Sequence, residues 1–159
     1  MTKRFVFCVA FLCVLVATVT AQSTIFIVRH AERADSSKDS DLSDAGRARA
    51  QALAKMLKDA NITAIYATEF KRTQQTAAPL AKDLATTVTT LSAKDNSALI
   101  AKLRASVGNA LVVGHSDTIP QLIKELGISE PINIGENDYD NLFEVVLGEK
   151  LKVIRLHYH

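Results

Sequence analysis

Thr24-Ile25-Phe26-Ile27-Val28 runs without a break into Arg29-His30-Ala31-Glu32-Arg33. The first five residues are apolar or β-branched at every position, the pattern of a strand buried on both faces rather than one alternating between core and water. Such a strand belongs in a parallel sheet with helices on either side. The five residues after it bring charge and imidazole to the strand's carboxyl end, where open parallel sheets bind their ligands.

The segments that follow continue the alternation. Ile62 to Ala67, Val88 to Leu91 and Ala110 to Val113 are further short strands, the last entered through a Gly108-Asn109 turn. After a polar loop from Ala34 to Asp41, Ser43 stands at a helix N-cap position with Asp44 in the first turn. There Ala45, Ala48, Ala52, Leu53, Met56, Leu57 and Ala60 predict the buried stripe of a helix ended by Asn61. Phe70 to Leu84 predicts a second helix, kinked or broken at Pro79, and Ser97 to Ser106 a third. Ile119 to Leu126 predicts a fourth, with Pro120 in its first turn and Gly127 closing it. Leu142 to Leu147 and Leu151 to His157 alternate around Gly148-Glu149-Lys150 as a hairpin. The expected fold is α/β: a three-layer sandwich with a mostly parallel central sheet, helices on both faces and a C-terminal antiparallel hairpin at the edge.

The N-terminus is of another kind. Lys3 and Arg4 precede an uncharged run from Phe5 to Val19, and Val19-Thr20-Ala21 is a small-residue cleavage pattern, so residues 1–21 read as a signal peptide and 22–159 as the working domain. The whole chain has 159 residues, 48% of them hydrophobic, and a formal charge of +2. Without Lys3 and Arg4 it has 17 basic and 17 acidic residues, and both cysteines, Cys8 and Cys13, leave with the leader. The expected product is a neutral, thiol-free domain, secreted or periplasmic. An uncleaved leader would tether it to a membrane, because Phe5 to Ala21 reaches the lower limit of a spanning helix.

Three strand ends converge on one rim. Arg29-His30-Ala31-Glu32-Arg33 follows the first strand, Thr68-Glu69-Phe70-Lys71-Arg72-Thr73 the second, and Gly114-His115-Ser116-Asp117 the fourth. Each alone reads as a solvated loop or a structural histidine, and Lys71-Arg72 at a helix start opposes the helix dipole and calls for an anionic neighbour. Together, two histidines and at least two arginines suit phosphoryl transfer. Guanidinium forks clamp the anionic equatorial oxygens, and a neutral imidazole attacks phosphorus to form a phosphohistidine.

Arg29-His30-Ala31-Glu32 resembles the Arg-His-Gly motif of the histidine phosphatase superfamily, the phosphoglycerate-mutase-like fold. Leu42-Ser43-Asp44-Ala45-Gly46 resembles its Leu-Thr-x-x-Gly helix start, and Thr68 to Ala77 its Ser-Pro-x-x-Arg-x-x-x-Thr-Ala segment. Gly114-His115-Ser116 resembles its second histidine motif. The resemblance implies that His30 is phosphorylated, that Arg29 and Arg72 bind the phosphoryl oxygens, that His115 completes the pocket, and that Arg33 is a further phosphate ligand. Ala31 replaces the family glycine. Thr68-Glu69 replaces Ser-Pro, so Thr68 keeps the hydroxyl as a substrate contact while the rigid turn is lost. The general acid is open between Asp117 and Glu32, with Asp117 also placed as the N-cap of the next helix.

The expected activity is hydrolysis of a phosphomonoester or phosphoamidate, without metal or cofactor, on a small phosphorylated substrate or phosphoprotein. The rival is a non-catalytic phosphate-binding or anion-binding protein of the cell envelope using the same pocket. No glycine-rich phosphate loop or basic stripe occurs, which argues against nucleotide cofactors and nucleic acid. His157 and His159 at the chain end are read as incidental, and Glu136-Asn137-Asp138-Tyr139-Asp140 as a turn-forming loop beside the rim.

Overall fold

The computed structural model describes residues 23–148 and 150–159, so the predicted leader with its two cysteines, Gln22 and Glu149 lie outside the described residues. The chain runs β1 (Ser23–Arg29), α1 (Asp44–Leu57), β2 (Ile62–Thr68), α2 (Lys71–Asp83), β3 (Val88–Leu91), α3 (Asn96–Ala105), β4 (Asn109–Gly114), α4 (Thr118–Glu125), β5 (Asn141–Leu147) and β6 (Lys152–His157). One sheet holds all six strands in the order β3-β2-β4-β1-β5-β6. β1, β2, β3 and β4 pair parallel, whereas β5 runs antiparallel to both β1 and β6.

β1 is buried on both faces, as its composition requires. Phe26 and Val28 join Leu53, Leu57, Leu80 and Leu111 under α1 and α2. Ile25 and Ile27 point the other way, into a core with Leu99, Leu103, Ile119, Ile123 and Phe143 under α3 and α4. Two apolar layers on opposite faces of one sheet make the three-layer sandwich, and the antiparallel β5–β6 pair forms one edge.

The helix termini follow the local chemistry. Ser43 caps α1 by accepting from the Gly46 N–H at 3.0 Å, and Asp95 caps α3 by accepting from Ala98 N–H at 3.0 Å. Asn61 takes a left-handed conformation, φ 50°, on entry to β2. α2 begins at Phe70 without a side-chain cap of its own; Asp39, across the polar loop, accepts from the Lys71 N–H at 2.8 Å. That is the anion a cationic helix start calls for. α2 also runs through Pro79 to Asp83 as one helix rather than stopping at the proline.

The α1 stripe differs from the predicted one. Gly46, Ala50, Leu53, Ala54 and Leu57 face the core, while Ala45, Ala48 and Met56 face solvent, with Met56 47% exposed. Alanine fits either environment, so seven candidate positions did not define a unique face. A glycine did, because a Cβ at Gly46 would collide with the main-chain oxygen of Glu32. That oxygen accepts the Ser43 N–H at 2.9 Å and cannot easily move.

Gly46→Ala therefore sets helix propensity against steric contact. Propensity alone would stabilise by about 1 kcal/mol, whereas overpacking costs about 1–3 kcal/mol. The expected outcome is net destabilisation, read as a lower urea midpoint at unchanged slope.

Candidate active site

β2, β4 and β1 are neighbours in the sheet, so the residues at their carboxyl ends meet. The Arg29 position pairs with Gly114, and the His30 N–H donates to the Gly114 carbonyl at 2.9 Å. This brings the His30 and His115 rings to 5.3 Å between centroids, edge to face. Phe70 packs edge-on against His115 at 5.2 Å. Arg29, His30, Arg33, Arg72, His115 and Asp117 line one open cleft of about 680 Å³.

His30 is 4% exposed. Its Nδ1 lies 2.8 Å from the Ala31 carbonyl oxygen, which can only accept, so Nδ1 carries the hydrogen and Nε2 keeps the lone pair. Burial lowers its pKa to about 3 against the Ala31 hydrogen bond, helped by the charges of His115, Arg72 and Arg29. His115 is lowered to about 4, by burial and by Arg72, against the opposing carboxylates of Asp117 and Glu69. Both imidazoles are neutral at pH 7.

The arginines are fixed by main-chain oxygens. Arg29, 6% exposed, donates through Nη1 to the carbonyls of Gly135 and Glu136, each at 2.8 Å, and lies 4.2 Å over the Tyr139 ring. Arg72 donates through Nη1 to the Lys38 carbonyl at 2.9 Å and lies 4.4 Å over Phe70. Burial and the nearby charge of Arg33 hold its pKa below the ordinary arginine value. Each guanidinium leaves its Nε–H buried without a partner. Buried donors of this kind are costly to leave unmet, and both belong to guanidinium groups of residues that line the cleft.

Two candidates sit elsewhere than expected. Glu32 does not line the cleft; Arg49 takes both its carboxylate oxygens in contacts of 2.7–3.0 Å. Having turned toward α1 to meet Arg49, it has no access to a leaving group at the rim. Thr68 does not line the cleft either. Its hydroxyl lies behind His115, 2.9 Å from Nε2 and 2.9 Å from the Thr73 hydroxyl. Asp117, in contrast, makes no side-chain capping bond to α4 and lines the cleft exposed. Thr118 serves that turn instead, accepting from the His115 N–H at 3.1 Å.

Other residues complete the arrangement. Thr76, fully buried, accepts from the Ala31 N–H at 2.9 Å and donates to the Arg72 carbonyl at 2.7 Å. Its place in a Thr-Ala pair four residues after Arg72 was the available signal. Tyr139 comes from the acidic loop and faces His30 at 6.0 Å between rings. Lys94, an isolated lysine in the β3–α3 turn, also lines the cleft and had no sequence signal. His157 pairs with Asp140 at 3.1 Å, tying the hairpin to the Tyr139 loop.

The model of the histidine phosphatase superfamily (branch 1) matches residues 25–94, the stretch that carries His30, Arg33 and Arg72. Over that stretch the chain is similar to the histidine phosphatase superfamily. Solved structures share its fold at low identity. A mycobacterial glucosyl-3-phosphoglycerate phosphatase aligns with TM-score 0.67 at 15% identity over 86% of this chain and 98% of its own. The protein histidine phosphatase SixA, complexed with tungstate, aligns with TM-score 0.65 at 21% identity over 84% and 96%. A putative α-ribazole-5′-P phosphatase from Escherichia coli gives 0.68 at 16% identity over 84% and 96%. No curated protein matches the sequence.

The Glu32–Arg49 pair has a consequence for stability. Burial works to raise the Glu32 carboxyl, and the Arg49 hydrogen bonds and charge overcome it, holding its pKa below the ordinary 4.5. A folded-state value below the unfolded one stabilises above the unfolded value and is lost as pH falls through the folded one. Glu32→Gln is expected to lower the melting temperature by a few degrees at pH 7. The deficit should shrink as pH drops below about 4.5 in parallel thermal scans.

Proposed function

We propose that this protein is a phosphatase that hydrolyses a phosphomonoester or phosphoamidate through a phosphohistidine on His30. The observation that carries the reading is a buried imidazole whose Nδ1 hydrogen is spent on a main-chain carbonyl, flanked by two guanidinium groups with unpartnered buried Nε–H donors. The match to the superfamily model supports phosphatase-type chemistry in general.

In the first step the Nε2 lone pair of His30 attacks phosphorus. A P–N bond forms, the P–O or P–N bond to the leaving group breaks, and the leaving atom takes up a proton. Arg29 and Arg72 hold the equatorial oxygens, where the loose transition state keeps its charge. Arg33, exposed at the cleft, adds a further cation. Asp117, in its protonated form, is the proton donor we assign: it lines the cleft, and its side chain is not spent on capping α4. Water then attacks the phosphohistidine and releases orthophosphate, returning His30 to its neutral form.

The substrate is a small phosphorylated molecule or a phosphoprotein, and the cleft is open enough for either. The Lys3-Arg4 start and the apolar run after it support an exported address. Sequencing the N-terminus of the exported protein is expected to give Gln22 as its first residue.

Two measurements test the chemistry. A phosphodonor should leave an acid-labile label on the wild-type protein and none on His30→Ala; equal labelling of both would remove the mechanism. Asp117→Asn should slow hydrolysis of an alkyl phosphate by about 10²–10⁴-fold and 4-nitrophenyl phosphate far less, because its leaving group needs little protonation. Equal losses on the two substrates would take Asp117 out of the acid role.

A further inference from the structure

Every hydrogen in the chain of hydroxyls behind His115 can be placed. The Thr73 hydroxyl lies 2.7 Å from the Phe70 carbonyl oxygen and 3.0 Å from that of Thr68. Carbonyls only accept, so the single hydroxyl hydrogen of Thr73 points at one of them. The contact between the Thr68 and Thr73 hydroxyls, 2.9 Å, then takes its hydrogen from Thr68. Thr68 has none left for His115 Nε2, 2.9 Å away, and that contact is held by a hydrogen on the ring. Neutral His115 is the Nε2–H tautomer, with its lone pair on Nδ1, 3.5 Å from Nη2 of Arg72.

His30 is the opposite tautomer, with Nδ1–H bound to Ala31 and Nε2 bare. With both imidazoles neutral, each ring N–H is already committed and neither is available to donate to an anion. A lone pair at His115 Nδ1 suits Arg72, but it would repel a phosphoryl oxygen placed beside it.

We infer that binding of a phosphoryl group in this cleft takes up one proton at Nδ1 of His115, and that the Thr68–Thr73 hydroxyl pair is the lock that makes Nδ1 the atom receiving it. The inference rests on the reading of the cleft as a phosphoryl site. Thr68 is then a positioning residue acting through His115, not a substrate ligand.

The charges around His115 set the direction. Without an anion, burial opposes an imidazolium at His115, as do Arg72 on α2 and Arg29 at the end of β1, while the His30 ring 5.3 Å away is itself neutral. Asp117 before α4 and Glu69 after β2 favour it. Burial and the arginines prevail, so the free ring is neutral above about pH 4. An anion between the guanidinium groups offsets their repulsion and turns protonated Nδ1 into a charge-assisted donor. His115 is then charged in the complex and neutral without it. Affinity for a dianion should fall about tenfold per pH unit from pH 4 up to the pKa of the bound state, and level off above it.

Calorimetric titration with sodium tungstate near pH 7, in two buffers of different ionisation heat, counts the protons. Tungstate is a dianion there and has no proton to contribute. Wild type is expected to take up close to one proton per site, and Thr68→Ser, which restores the hydroxyl, the same. Thr68→Val frees Nε2, lets the neutral ring turn to its Nδ1–H form and donate directly, and should bring the uptake toward zero. Wild-type heats that do not depend on the buffer would overturn the inference without any variant, as would full uptake in Thr68→Val. Tungstate that binds without proton uptake sinks this inference alone. Tungstate that does not bind at all sinks the phosphoryl-site reading and this inference with it.

Discussion

One buried hydroxyl sets the distance between His30 and Arg72. Thr76 Oγ1 accepts from the Ala31 N–H and donates to the Arg72 carbonyl, joining the turn after β1 to the first turn of α2. His30 comes from the first of these and Arg72 from the second, and sheet pairing alone would leave their relative height free. A hydroxyl that is fully buried and satisfied on both sides has no alternative partner, and it holds both segments in register. The site geometry is built outward from that contact. Arg29 is fixed by the Gly135 and Glu136 carbonyls, Arg72 by Lys38, and His115 by Thr68, so the orientation of these three comes from the protein itself.

The electrostatic character of the cleft follows from burial and not from net charge. The described domain is close to neutral in composition, yet three arginines and Lys94 line one opening, with Asp117 and Glu136 as its carboxylates. Burial, joined by the charges of Arg72 and Arg29, keeps both histidines unprotonated and leaves Nε2 of His30 bare. Desolvation and guanidinium charge act in the same sense on both rings, so a partner of opposite charge is the natural means of reversing it at His115.

Most of the sheet was legible because short, apolar, β-branched runs are the composition of strands buried on both faces. Ile25 to Val28 and Ala110 to Val113 are apolar throughout, and the site residues sit immediately after them. The face of α1 was not legible, because alanine at Ala45, Ala48 and Ala52 carries no preference strong enough to choose a side. The choice was made by a backbone approach at Gly46 that no periodicity records. Glu32 looked like an acid because it lies two residues from His30 in sequence. Its side chain is taken by Arg49, a residue whose role depends on where α1 packs. Lys94 and the carbonyls that hold Arg29 come from turns, where position depends on tertiary contacts and residue type says little.

β1 occupies the middle of the sheet, between β4 and β5, although it is the first strand of the described chain. Its neighbours are made much later, and the peptide nitrogen of His30 finds its acceptor only when Gly114 is present. His30 therefore waits, during synthesis, for most of the chain to emerge before its own backbone is held. Such long-range pairing slows folding. It also means that a nascent or C-terminally shortened chain carries His30 and Arg29 without the environment that makes them a pocket, so the cleft is completed by the last third of the sequence and not by the segment that contains His30.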